Sequence, residues 1–216
     1  MKNWIFAFGV LIGLVSCNSK PSQLQSIENK SVEKFIDWNL YIDKFKFKNL
    51  KSFGLKGDSI EKELVKIDND LFFKVTQDSF HYDNCYFYSF QSQDSNFTKL
   101  TILHKSLEWF SDIIWYLIYD KNGKLLSKTA VAELGSDEDW SIIEKSKFVN
   151  DTILILNSNE NLFGETDDSE VKNIKKIKEI TILNNGKTKV KLISENEKIS
   201  KIDLSKPHRI PTIRCN

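Results

Sequence analysis

Hydrophobic and polar residues alternate over long stretches of this chain, with the period of two that is typical of half-buried β-strands. In residues 82–91 the side chains of Tyr86, Tyr88 and Phe90 occupy alternate positions, so one face of this strand is predicted to be aromatic. Residues 113–119 (IIWYLIY) are apolar throughout, which indicates a central strand covered on both faces. The same pattern predicts strands at residues 71–76, 97–104, 125–131, 140–143, 147–149, 152–157, 180–183 and 188–193.

Two tight turns separate pairs of these predicted strands. Asn122-Gly123 lies between residues 113–119 and 125–131, and Asn185-Gly186 lies between residues 180–183 and 188–193. The Asn-Gly pair favours a type I′ turn, because both central residues of that turn need positive φ. Each turn therefore predicts a hairpin of two antiparallel neighbours.

The region before residue 70 carries two helical patterns and one short alternation. Apolar residues recur at helical spacing in residues 31–41, and Asp58 to Glu61 resembles a capping box before a helix that ends at Ile67. Residues 44–48 alternate Lys and Phe, as a half-exposed strand would. The predicted fold is mainly β: an antiparallel meander in a sandwich-like or barrel-like sheet, with one or two short N-terminal helices.

Composition and charge remove several classes of protein from consideration. The 216 residues are 40% hydrophobic and include 15 Phe, 6 Tyr and 5 Trp, which is more apolar material than a disordered chain carries. Lysine and arginine number 31 against 30 acidic residues, so the excess of positive charge that nucleic-acid binding requires is missing. With three cysteines the chain is not a disulfide-built scaffold.

The N-terminus has the pattern of an export signal. Lys2 precedes an uncharged and mostly apolar run, residues 4–15. As a helix this run would span about 18 Å, short of the roughly 30 Å hydrocarbon core of a bilayer. The residues Leu14-Val15-Ser16-Cys17 resemble the lipobox of bacterial lipoproteins. That resemblance implies that residues 1–16 are removed, that Cys17 is lipidated (palmitate included) and that the acyl chains anchor the mature protein in a membrane. A plain secretory signal and a short membrane anchor are the alternatives.

The remaining chain divides into a tether, one domain and a tail. Residues 17–30 comprise the lipidated cysteine and a polar, flexible tether, residues 31–204 form a single mostly-β domain, and residues 205–216 form a C-terminal tail. Asn18 follows the cysteine where some inner-membrane lipoproteins carry Asp, so we expect the cell envelope as location, at the outer membrane and facing the periplasm. Beyond the N-terminus, the chain resembles only uncharacterised bacterial lipoproteins rich in Lys, Asn and Ile.

The densest group of metal-ligand residue types is His81, Asp83 and Cys85. In an extended strand these side chains point to one face, about 7 Å apart pair by pair, so they are weak candidates for a metal site. His104 joins them only if residues 82–91 and 97–104 pair as a hairpin. A polar loop without metal is the expected outcome, and the sequence predicts neither a cofactor nor a catalytic residue.

The cysteines left after lipidation allow one disulfide. Cys85 and Cys215 would lie in an oxidising compartment, where an even remainder permits pairing. The alternative is a buried structural Cys85 and a free thiol at Cys215. Spacing alone does not decide between them.

The large number of aromatic residues is the feature of the composition that says most about function. The candidates for binding a peptide or a sugar lie in or near the predicted central strand in the sequence: Trp109, Tyr119 and Trp140. Aromatic side chains also fill β-sheet cores, which is the alternative for these residues. The sequence thus favours a lipid-anchored envelope module that binds a protein or peptide partner without catalysis. A glycan-binding lipoprotein and an envelope hydrolase are the alternatives.

Overall fold

The computed structural model describes residues 36–56, 60–68, 70–71, 75, 84–106, 110–164 and 170–201, all within the compact unit that begins at Lys34. These residues contain ten strands. Their bounds are Phe47–Lys48 (β1), Ser52–Phe53 (β2), Asn84–Gln93 (β3), Phe97–Ser106 (β4), Ser111–Asp120 (β5), Leu125–Ser136 (β6), Trp140–Asn150 (β7), Ile153–Phe163 (β8), Glu170–Ile182 (β9) and Thr188–Lys201 (β10).

The strands form one sheet, in which β3 to β10 follow one another in chain order and pair antiparallel, as the meander prediction requires. The sheet is nevertheless mixed, because β1 pairs parallel with β3. β2 pairs with β7, so the segment from Phe47 to Phe53 links two distant parts of the sheet. The sheet is not closed, and the barrel-like alternative is therefore wrong.

Strand β5 is covered on both faces, which confirms the prediction for residues 113–119. Leu117 and Tyr119 project into a first core, and Tyr116 and Ile118 project into a second core. The first core is closed by residues from the N-terminal segment, and the second by residues of β2, β6, β8 and β9. Buried side chains of the first core are Ile36, Trp38, Phe45, Ile67, Leu71, Val75, Cys85, Phe87, Leu100, Ile102, Leu117 and Tyr119.

The predicted N-terminal helices are wrong in type and extent. The described part of these regions holds only 3-10 turns, at Trp38–Leu40, Ile42–Lys44 and Ile60–Glu63. Residues 71–76 were expected as a strand, yet the described residues Asp70, Leu71 and Val75 have helical backbone. The side chain of Asp68 accepts a hydrogen bond from Leu71 N (2.8 Å), a cap of the kind that starts a helix. A capping residue three positions upstream thus outweighs the short apolar run.

Strands β7 to β10 are longer than their hydrophobic patterns predict. Residues 140–143 and 147–149 belong to one strand, β7, while β9 begins ten residues before the predicted residue 180 and β10 continues to Lys201. These extensions are held by charged pairs on one face of the sheet. Nζ–carboxylate distances are 3.2 Å for Lys178–Glu144, 3.7 Å for Lys176–Glu160, 3.4 Å for Lys172–Glu197 and 4.0 Å for Lys201–Glu170.

Amide side chains connect the same strands on the opposite face. Asn173 Nδ2 donates to the side-chain oxygens of Asn159 and Asn161, both at 2.8 Å. Asn161 in turn donates to Ser141 Oγ at 3.0 Å. Cross-strand pairs of this kind stabilise a sheet where a hydrophobic face is missing, and they explain why a polar sequence remains in regular strands.

Candidate functional site

Several residues predicted as sites lie outside the described part of the chain. They include the lipidation site Cys17 with the whole signal and tether, the possible ligands His81 and Asp83, the aromatic Trp109, and Cys215 with the tail. For these the expectations above stay predictions. Among the described residues, no helix has the length and apolar character needed to cross a bilayer.

Cys85 and His104 are directly opposite each other in the β3–β4 pair, which is the hairpin geometry that the metal hypothesis required. Both are buried, with 2% and 6% of their surface exposed. Within the described ranges, however, no group of three potential ligands comes together. Burial raises the pKa of the Cys85 thiol to about 12, so the thiolate that binds metals or attacks electrophiles is disfavoured.

Cys85 is a buried free thiol within the described part of the chain, and Cys215 lies outside that part, so a disulfide between the two stays a prediction. The burial of Cys85 agrees with its part of the alternative, a buried structural cysteine. Its side chain belongs to the first core, together with Phe87 and Ile102. A small apolar thiol fits this position, and its packing accounts for the residue without a chemical role.

The two described aromatic candidates differ in their exposure. Tyr119 is fully buried and its hydroxyl donates to the carbonyl of Val75, so its side chain is not at the surface to bind a peptide or a sugar. The physical reason is its position on β5, where both faces are covered. Trp140 is half-buried at the start of β7, and its ring lies so close to Gly135 that a Cβ there would approach Cη2 to 2.7 Å.

A carboxylate pair lies at the junction of β6 and β7. Glu133 is directly opposite Glu144, and Glu144 is 5% exposed and paired with Lys178. Burial, and next the carboxylate of Glu144, raise the pKa of Glu133, while a hydrogen bond with Ser111 acts in the other direction. Like charges opposite each other destabilise a sheet, so Glu133 carries a cost to stability at neutral pH.

We expect Glu133→Gln to raise the free energy of unfolding at pH 7 by about 0.2–1 kcal/mol. Because folding raises the pKa of Glu133, its carboxyl ionises at a lower pH in the unfolded state than in the folded state. The loss of stability that Glu133 causes therefore grows as pH rises and is complete above the pKa of the folded state. Below the unfolded pKa, both states are protonated and the gain should vanish. Urea unfolding at pH 3.5 and pH 7 measures this difference, with the exposed Glu138→Gln as control. An equal gain at both pH values would contradict the prediction.

The largest exposed element among the described residues is strand β10. It is the last strand in the sheet order and pairs only with β9 in this part of the chain. Every residue from Lys189 to Lys201 is exposed, including the apolar side chains of Val190 (52%), Leu192 (50%) and Ile193 (49%). An edge strand presents a row of unpaired backbone N–H and C=O groups, which another strand can complete.

Side chains of β6 form hydrogen bonds with the start of β10 and with the turn before it. Thr188 Oγ1 lies 2.6 Å from Thr129 Oγ1 on β6, and Ser127 Oγ donates to the carbonyl of Gly186 at 3.1 Å. Farther along, the register shifts between Leu192 and Ser194, where β10 contains a bulge. We call residues 188–192, between the anchor and the bulge, the β10 edge.

Two shallow depressions are present elsewhere on the described surface. One, of about 340 Å³, is lined by Ile143 and Ile177 with Lys145, Lys175 and neighbouring Asn side chains. The other, also about 340 Å³, lies beside Trp38 and the β5–β6 turn. Both depressions are open to solvent.

The β10 edge is therefore the described feature that best fits an interaction site. It was missed at the sequence level because Lys189 and Lys191 alternate with Val190 and Leu192, a pattern shared by any half-buried strand. Only the strand order shows that this strand lies at the end of the sheet. Searches against protein-family models, curated proteins and solved structures found no match for this chain.

Proposed function

We propose that the chain is a lipid-anchored module of the bacterial cell envelope that binds a protein or peptide partner and catalyses no reaction. Its proposed location is the periplasmic face of the outer membrane. The anchoring part rests on Leu14-Val15-Ser16-Cys17 and the apolar run before it. The binding part rests on the exposed β10 edge, since open backbone groups beside apolar side chains are complementary to a polypeptide.

The lipid anchor has a direct chemical test. Cells grown with an alkyne-bearing palmitate analogue should incorporate the label into the full chain. The Cys17→Ala variant should carry no label and should leave the membrane fraction. Labelling that persists in this variant would show that another residue or a membrane-inserted segment holds the protein.

The partner is tested with the intact lipidated protein in membranes of the native cell. After cross-linking and purification, we expect one protein in stoichiometric amount, and tagging that protein should recover this chain in return. A preparation that yields no partner in either direction would overturn the proposal. Binding of the purified domain to a glycan array, with loss of that binding in Trp140→Ala, would replace it by the glycan-binding alternative.

A further inference from the structure

We propose that the partner contributes an extended segment that adds as a further strand to the β10 edge, and that this segment alternates acidic and apolar residues. The inference rests on the proposed function and specifies the chemistry of the partner. Three observations on residues 188–192 support it: the direction of the backbone groups, the charge of one side-chain row and the apolar character of the other.

The direction of the backbone groups follows from the hydrogen bonds around the β9–β10 turn. Leu183 N donates to the carbonyl of Lys187 across the turn, whereas Ile182 N donates away from β10, to the carbonyl of Thr152. Directly opposite residues in an antiparallel pair alternate between hydrogen-bonded and non-hydrogen-bonded pairs. Ile182 is opposite Thr188, so Thr188 and then Val190 and Leu192 direct their N–H and C=O groups to the open edge.

The side chains of the edge form two rows of different character. Val190 is opposite the buried Ile180, so Val190 and Leu192 continue the face of the second core. Lys189 and Lys191 lie on the other face, opposite Thr181 and Glu179, and neither forms an ion pair with a described residue. An added strand would place its own side chains opposite these two rows, since cross-strand neighbours share a face.

The complementary segment therefore carries carboxylates beside Lys189 and Lys191 and apolar side chains beside Val190 and Leu192. Its length is limited on both sides. Thr188 is anchored on Thr129, and beyond the bulge the face of Val190 continues with Glu195 and Glu197, of which Glu197 already pairs with Lys172. Five residues of strand span about 17 Å, enough for one short added strand.

The test uses the full-length protein and a synthetic heptapeptide that alternates Glu and Val, with both ends capped. Val190→Pro removes one outward N–H without touching a hydrogen bond to β9, and proline is tolerated at such edge positions. Val190→Ala is the matched control, because it also loses the valine side chain but keeps the N–H. We expect peptide affinity to fall at least tenfold in Val190→Pro and less than threefold in Val190→Ala, with thermal melting confirming that both variants fold.

Charge and amide protection give independent readouts. A heptapeptide that alternates Lys and Val should not bind the native protein but should bind the double variant Lys189→Glu/Lys191→Glu. The amides of Val190 and Leu192 should exchange rapidly in the free protein and become protected when the Glu-Val peptide is added. Equal affinity for the two peptides, or unchanged affinity in Val190→Pro, would overturn the inference.

Failure of this inference is distinguishable from failure of the proposed function. If the Val190→Pro variant still captures the native partner, the partner binds at another surface. That result would contradict strand addition at the β10 edge but would agree with the proposed partner-binding function. If the two amides are protected in the free protein, the edge is already occupied, and a dimer in light scattering would identify a second copy of the chain as the occupant. A native membrane that yields no partner overturns the proposed function even where the Glu-Val peptide binds.

Discussion

Replacing Leu117 with alanine is expected to lower the free energy of unfolding by roughly 2–5 kcal/mol, the range for truncating a fully buried leucine. Leu117 has no exposed surface, lies directly opposite Leu100 on β4 and belongs to the first core. Both faces of β5 are covered, so neither solvent nor a neighbouring loop can fill the space that the side chain leaves. Since the free energy of unfolding of a native protein is only about 5–15 kcal/mol, this single change would remove a large share of the stability.

Urea unfolding of the two proteins, followed by fluorescence and circular dichroism, measures the loss. The matched control is Leu40→Ala, the same truncation at a position that is 69% exposed, where we expect a change below about 0.5 kcal/mol. Equal losses at the two positions would contradict the double coverage of β5. An altered slope of the unfolding curve would show that the denatured state had changed as well.

Gly123→Ala is expected to destabilise the protein more than Gly186→Ala, by at least about 1 kcal/mol, although both glycines lie in an Asn-Gly-Lys turn. Each has φ of +77°, so alanine meets the same left-handed backbone penalty at both positions. The surroundings differ. A Cβ on Gly123 would lie 2.7 Å from Ile36 N and 2.9 Å from Ile36 O, both backbone atoms.

At Gly186 the added Cβ would meet the ends of side chains instead, Leu126 Cδ1 at 2.5 Å and Phe97 Cε1 at 2.8 Å. Such atoms can move by rotation, whereas the Ile36 backbone is tied to the buried segment around Trp38. Thermal unfolding of both variants gives the comparison. Adding Leu126→Ala should remove part of the Gly186→Ala penalty and none of the Gly123→Ala penalty. If Gly123→Ala lowered the stability no more than Gly186→Ala did, in both the native and the Leu126→Ala protein, the result would contradict the contact of Ile36 with the turn.

Local chemistry was enough to predict the hairpins and the central strand. Both Asn-Gly pairs lie in the predicted hairpin turns, but the predicted turn type I′ is wrong, because Gly123 and Gly186 have positive φ whereas Asn122 and Asn185 do not. A seven-residue apolar run can be satisfied only by cover on both faces, and β5 has it. The alternation in residues 82–91 and 97–104 likewise predicted strands β3 and β4, whereas their pairing, which places Cys85 opposite His104, was only a condition of the metal hypothesis.

Prediction from sequence was less successful where charges, not hydrophobic residues, hold the strands. The extended parts of β7 to β10 read as polar segments, because no single residue shows that Glu144 meets Lys178 two strands away. The exposure of aromatic residues was also beyond reach. Tyr119 and Phe110 are both aromatic residues beside polar neighbours, yet the first is fully buried and the second is 59% exposed with φ of 48°.

The sequence by itself determined the elements that depend on a few neighbouring residues: the positions of the two Asn-Gly turns, the alternating strands, and the central strand β5, which is apolar on both faces. The lipid attachment at Cys17 is predicted from the same kind of local pattern. The tertiary structure decided the properties that depend on which strands become neighbours. It buried Tyr119, placed backbone atoms of Ile36 against one of the two Asn-Gly-Lys turns, and left β10 at the edge of the sheet. The physical reason is range, since a turn needs only its own backbone angles, whereas burial, ion pairing and an open edge are created by contacts between residues far apart in the chain.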